Sequence, residues 1–194
     1  MHDHSAHDHS GHDRPDYETE IAGHRAEKDS FFRSSHHSPI PAEERATFAG
    51  LPYYPVNAAL RFEGLQLQPY DGDAPAEFMI GTSDDNPRPA RRLGSLSFVV
   101  EDQLRSLVAY ALGAATGSLF VPFLDATSGS ETYGAGRYLD IEPEHDGSYV
   151  LDFNAAYHPS CVYSPHFSCP VTPAENRLPD RIEAGERLDS SHAH

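Results

Sequence analysis

The chain has one lysine, Lys28, two cysteines in 194 residues, and no apolar run approaching the roughly 20 residues that cross a bilayer. Each scarcity excludes something. Thirty acidic residues against fourteen basic ones leave a net charge of −16, so phosphate backbones and anionic lipid surfaces are repelled and nucleic-acid or membrane partners are not expected. Two cysteines make no disulfide framework; in a reducing compartment such a pair serves as free thiols, metal ligands or a redox couple. The N-terminus is rich in His and Asp where a signal peptide needs a basic and then an apolar region, which predicts a soluble, cytoplasmic protein. Gly134-Ala135-Gly136 lacks the rest of a dinucleotide fingerprint, and there is no Gly-x-Ser-x-Gly elbow or Walker loop. The acidic, lysine-poor composition suits a protein kept soluble in concentrated salt, and equally one encoded by a GC-rich genome.

A hydrophobic fraction of 38% is low, and part of the deficit lies in the ends. Residues 1–16 alternate His2, His4, His7, His9 and His12 with Asp, Ser and Gly, a composition that buries too little apolar area to offset chain entropy and predicts a disordered tail. Imidazoles at that density bind zinc, nickel or copper. Residues 189–194 read as a second disordered tail. Between them, 17–188 is expected to form one domain.

Within that domain the first segment is helical. Tyr17, Ile21, Phe31 and Phe32 approximate one helix face over 16–33, and a short second helix is expected over 42–48, entered through Pro41 and stopped by Gly50. After Pro52 the texture changes to short runs broken by Pro, Gly, Asn and Asp. Strands are expected at 59–67, 77–82, 93–100, 104–112, 118–123, 136–141 and 148–155. The alternation of Leu96, Phe98 and Val100 is clean, whereas 104–112 also satisfies a helical period. The fold class is therefore mainly β, a single antiparallel β-barrel or sandwich with one or two N-terminal helices covering an edge or an end. Asp146-Gly147 supplies a tight turn and predicts a β-hairpin across 136–155.

Three polar groupings could carry chemistry. Asp125, Thr132, Tyr133 and Arg137 lie around Gly129, Gly134 and Gly136, which allow close backbone approach. Asp152 and Asn154 share one strand face and either converge on a pocket or form a wet edge. His158, Cys161, His166 and Cys169 fall within twelve residues and are ligand types that zinc favours. They match no standard finger, and prolines 159, 165 and 170 restrict the loop. A zinc site, a labile or structural disulfide, and free thiols with Cys161 as a nucleophile all remain open.

The run FLDATSGSETYGAGRYLD, then YVLDFNAAYHPSCVYSPHFSCPVTPAENRLPDRIEAGE, resembles the prokaryotic family known as domain of unknown function 1684, as does the earlier EKDSFFRSSHHSPIPAEERATFAGLPYYP. The resemblance spans about residues 20–188 and places recurrent family positions on Asp125, Thr132, Tyr133, Arg137, Asp152, Asn154, Tyr157, Cys161, Cys169 and Asn176, among others. The family pattern has Asn where this chain has His158 and no regular His at the place of His166, which weakens a four-ligand metal site. The family has no established activity, so the resemblance transfers positions and no mechanism. Three readings follow. The first is a small-molecule pocket at one end of the β body, lined by Asp125, Thr132, Tyr133, Arg137, Asp152, Asn154, Tyr157 and Asn176. There Arg137 would orient an anionic group, and Asp125 or Asp152 would act as acid or base if chemistry occurs. The second is a metal-handling protein that uses the His tail and the Cys/His loop. The third is a polar cluster that serves stability alone.

Overall fold

The computed structural model describes residues 16–113 and 117–188. The expectations for the tail histidines 2, 4, 7, 9 and 12, and for the tail from 189, lie outside the described residues.

Helix α1 (Tyr17–Ser34) starts with Glu18 and Glu20 in its first turn and ends with Arg33 in its last, both favourable to the helix dipole. Tyr17, Ile21, Arg25, Lys28 and Phe32 follow one another at three- and four-residue spacings, so they form one stripe. Of these only Ile21 and Phe32 are buried, and Phe32 packs with Ile40 and Leu51. The second helix expected over 42–48 is reduced to a turn of 3-10 helix, Arg45–Thr47, none of whose residues is buried. A segment so short cannot sustain an α-helix without an apolar face to dock.

The body is mainly β and antiparallel throughout its named strands: β1 (Arg61–Leu65), β2 (Gln68–Pro69), β3 (Glu77–Ile80), β4 (Arg88–Val100), β5 (Gln103–Leu112), β6 (Leu119–Phe123), β7 (Arg137–Ile141) and β8 (Tyr149–Asp152). Six form one sheet in the order β2-β4-β5-β6-β7, with β3 also paired to β4, and β1 pairs with β8 separately. The larger sheet does not close into a barrel. The segment with helical period proves to be β5, paired to β4 from Ala90–Leu112 to Val100–Gln103. The turn between them holds Glu101 at φ 48° and Asp102 at φ 61°, the left-handed pair that a two-residue hairpin needs, here without glycine. A bulge between Arg92 and Gly94 lets β2 approach so closely that a Cβ on Gly94 would stand 2.2 Å from the Gln68 carbonyl oxygen.

The hairpin expected across 136–155 forms only at its tip. Gly147 N–H donates to the Glu144 carbonyl at 2.9 Å, and one bridge joins Pro143 to Tyr149. Beyond it β7 pairs with β6 and β8 with β1. Pro143 has no N–H to extend the ladder, and Leu151 and Phe153 are drawn into the core, where the Phe153 ring meets Phe62, Phe98 and Phe123. The core lies between the two sheets, built from the inward residues of β4 to β8 with Leu178, Ile182 and Ala184 from the C-terminal segment.

Candidate functional site

That C-terminal segment has no ladder of its own and is fixed by single bonds. Leu124 N–H donates to Asn176 O, Leu178 N–H to Leu124 O, Glu186 N–H to Ala156 O and Tyr54 N–H to Gly185 O, all within 2.8–2.9 Å. Gly185 turns it at φ 75°, where a Cβ would lie 2.6 Å from the Ala156 carbonyl oxygen. The turn delivers Glu186, 1% exposed, beneath α1.

A carboxylate this buried needs compensation. Lys28 of α1 pairs with Oε1 of Glu186. Oε2 accepts the His158 backbone N–H at 2.7 Å and the Tyr163 hydroxyl at 3.2 Å. Burial, followed by the nearby Glu186 charge, pushes the Tyr163 hydroxyl up and keeps it a donor. The His158 ring lies on the same side, with Nδ1 at 3.5 Å from Oε2 and Nε2 accepting from Tyr133 N–H at 3.3 Å. An acceptor role for Nε2 fixes the neutral tautomer with hydrogen on Nδ1. Burial, reinforced by the charges of Arg137 and Lys28, lowers the imidazole to about 3. Glu186 would favour the imidazolium, but its charge is already matched by Lys28, so desolvation decides.

Beside this centre, between α1 and the body, is a recess of about 110 Å³. Ile21, Arg25 and Lys28 wall it from the helix, and Tyr53, Asn154 and Glu186 from the body. Arg25 donates from Nη1 to the Tyr54 carbonyl at 3.0 Å and stacks on the Tyr53 ring at 4.4 Å. Its Nε and Nη2, the Tyr53 hydroxyl and His158 Nδ1 are sealed from solvent without a hydrogen-bond partner. Bare buried donors are uncommon because each forfeits its hydration. A second, wider groove, bounded by Tyr17, Arg61, Glu63 and Asp146, is open to solvent.

The residues singled out by sequence are placed in several separate networks. Arg137 is fully buried and donates from Nη1 to Ala184 O and Glu186 O and from Nη2 to Ile182 O, with Asp125 Oδ1 3.6 Å from Nη2. Asp125 accepts from Thr127 and from Ile182 N–H, and Thr132 meets Thr127 at 2.9 Å. Asn176 is fully buried and brackets Val108, accepting from its N–H and donating to its carbonyl, both at 2.8 Å. Asp152 accepts from Tyr17 at 2.7 Å and caps Asn154, which in turn holds both backbone groups of Asn57. Tyr157 donates to Asp140, and Tyr133 turns toward Cys161. From the whole set only Asn154 lines the recess under α1, and none lines the open groove.

The four His/Cys positions do not converge. Among the described residues no three His, Cys, Asp or Glu side chains assemble as metal ligands. His158 is committed to Tyr133 and Glu186, while the cysteines face each other as free thiols, with Cys161 N–H donating to Cys169 Sγ at 3.4 Å. Burial pushes the Cys169 thiol up to about 11.

The model of a family described as "Protein of unknown function (DUF1684)" matches residues 46–187. The chain belongs to the DUF1684 family. It is also similar to the solution NMR structure of an uncharacterised protein from gene locus rrnAC0354 of Haloarcula marismortui, at 40% identity and a TM-score of 0.67, over 91% of this chain and 96% of that one. No curated protein matches. The DUF1684 match contains Tyr53, Asn154 and Glu186 but begins after α1, so Arg25 and Lys28 are contributed from outside it. Sequence reasoning missed all of these except Asn154. The one available signal was Lys28, the sole lysine of an acidic chain.

Proposed function

We propose that this DUF1684 protein binds a small molecule and that the recess under α1 is the binding site. The observation that carries the reading is the set of sealed, unpartnered donors at its wall, Arg25 Nε and Nη2 and the Tyr53 hydroxyl. Native interiors leave such groups bare where a partner is supplied from elsewhere. Asn154 belongs to this site as a wall whose amide is already anchored to Asn57. Asp125, Thr132, Arg137 and Asn176 act one step back: their polar groups clamp the segment that carries Glu186 and the strands beside it. Binding rather than catalysis fits the imidazole, which burial keeps neutral and whose Nε2 is taken by the Tyr133 N–H.

The test is a thermal-shift screen of compounds of metabolite size against the wild type and Ala155→Leu. Ala155 lines the recess and is exposed, so the larger side chain obstructs it without disturbing the core. Binding there predicts compounds that raise the wild-type melting temperature and do nothing to the variant. Stabilisation that persists in Ala155→Leu, or none with any compound, refutes the proposal.

A further inference from the structure

Arg25 is the uncompensated cation of this region. Lys28 is matched by Glu186, and Arg61 by Glu63 at 2.7 Å, whereas Arg25 makes no ion pair among the described residues. Arg33, Arg45 and Arg187 also lack a carboxylate partner; what sets Arg25 apart among the described residues is that two of its guanidinium nitrogens, Nε and Nη2, are buried without a hydrogen-bond partner. Its bare atoms are also a matched pair. Nε–H and Nη2–H form the side edge of the guanidinium, whose two parallel donors fit the two oxygens of one carboxylate. The Tyr53 hydroxyl, against whose ring Arg25 stacks, is a third donor, kept protonated by burial. Ile21, Ala155 and Ala156 supply the carbon of the wall, and His24, Lys28, Asn154 and Glu186 complete it.

Size narrows the occupant further. A cavity of about 150 Å³ holds benzene, with its six heavy atoms; the recess has about 110 Å³. We propose that the recess takes a short-chain monocarboxylate of four or five heavy atoms, its head on the Nε/Nη2 edge of Arg25 and the Tyr53 hydroxyl and its alkyl end against Ile21 and Ala156. This rests on the binding reading above. The donors are sealed from water in this structure, so seating the head requires a small rotation of the Arg25 side chain. That side chain is only part-buried and is held by one hydrogen bond, to the Tyr54 carbonyl. Phosphate is the weaker fit. It has no apolar part for the carbon of the wall, and its second charge would face the Glu186 carboxylate, which lines the recess.

The experiment is a titration of the full-length protein, followed by amide and side-chain NMR, with sodium propionate, propionamide and inorganic phosphate at matched ionic strength. Propionate should shift the signals of Arg25, Tyr53 and residues 154–156 saturably. Arg25→Gln should weaken that binding at least about tenfold, as the loss of a charge-assisted pair requires. Arg25→Lys, which keeps the charge and the fold but not the two-donor edge, should give an intermediate loss. Equal shifts with propionamide, or tighter binding of phosphate, overturn the carboxylate assignment and leave the site standing. If none of the three moves these signals, the monocarboxylate inference falls, while the site itself stands or falls on the Ala155→Leu screen. Unchanged propionate affinity in Arg25→Gln overturns the role of Arg25.

Discussion

The substitution His158→Asn tests the reading of the buried centre most directly, because it separates the imidazole's proton from everything else that responds to acid. In the folded chain His158 is 3% exposed and its pKa is lowered to about 3; in the unfolded chain it returns to the ordinary value of about 6.5. A histidine depressed in this direction takes its proton first in the unfolded state. Below about pH 6.5 the unfolded chain therefore binds a proton that the folded chain refuses, and stability falls by about 1.4 kcal/mol per pH unit. By about pH 4.5 the loss is about 2.7 kcal/mol, and near the folded value it reaches about 5 kcal/mol, a large share of the 5–15 kcal/mol that typically holds a domain together. Asparagine does not titrate, and its shorter side chain gives up the Nε2 acceptor of the Tyr133 N–H, a cost that is the same at both pH values. The assay is urea unfolding of both proteins at about pH 7 and about pH 4.5. The other histidines and the carboxylates are present in both, so only the difference is read. At neutral pH the variant is less stable by the cost of the lost ring; by about pH 4.5 the gap should have moved in the variant's favour by about 2.7 kcal/mol. A gap that is the same at both pH values would show that His158 does not stay neutral in the folded chain.

Removing Lys28 as Lys28→Met leaves the Glu186 carboxylate buried with two hydrogen bonds and without its contacting cation. The lysine itself is 30% exposed, so we expect the low end of the usual cost, about 3 kcal/mol, seen as a fall in Tm of roughly 6–12 °C. Gly185→Ala should destabilise by about 2 kcal/mol or more in urea unfolding, since it combines a left-handed φ with a backbone oxygen 2.6 Å from the new Cβ. In the native protein iodoacetamide should label Cys161, which is partly exposed, well before Cys169, whose thiol burial pushes up to about 11; peptide mass mapping reads the order, and denaturation should equalise it.

The fold was legible wherever a local rule and the tertiary context agreed. Leu96, Phe98 and Val100 alternate because one face of β4 is core, and that alternation survives unchanged in the sheet. Arg45–Thr47 departs from the expected helix because Pro41 and Gly50 punctuate the segment correctly but supply no apolar stripe to dock. The Asp146-Gly147 signal was sound as a turn and misleading as a hairpin, since turn chemistry does not say which sheet each arm joins. Here Leu151 and Phe153 fill the core more effectively beside β1. The reverse case is Glu101-Asp102, a tight turn without glycine, forced by the long paired register of β4 and β5.

The candidate site was less legible because its parts are distant in sequence and its polar logic is reciprocal. Asp125, Arg137 and Asn176 stand out in a sequence as polar groups among glycines and strands, which is how a pocket would look. It is also how the supports of an irregular backbone look: the stretch that carries Ile182, Ala184 and Glu186 has no ladder, so its carbonyls need donors from side chains, and a guanidinium with several fixed donors meets three of them at once. Residues of that kind are confined to one geometry: both terminal nitrogens of Arg137 are spent on backbone carbonyls, and only its buried Nε is left without a partner. Arg25 is the opposite case. On sequence it is one arginine on an amphipathic helix, unremarkable beside Arg33. It becomes distinctive only when α1 lies on the body with Ile21 and Phe32 as its buried apolar contacts, so that a thin hydrophobic stripe brings polar groups down with it. Lys28 finds Glu186, Tyr17 finds Asp152, and Arg25 finds a single carbonyl. A helix docked this way places a cation with an unmatched edge next to space. The imbalance between donors supplied and acceptors present, which no single stretch of the sequence contains, is the physical argument for a site there.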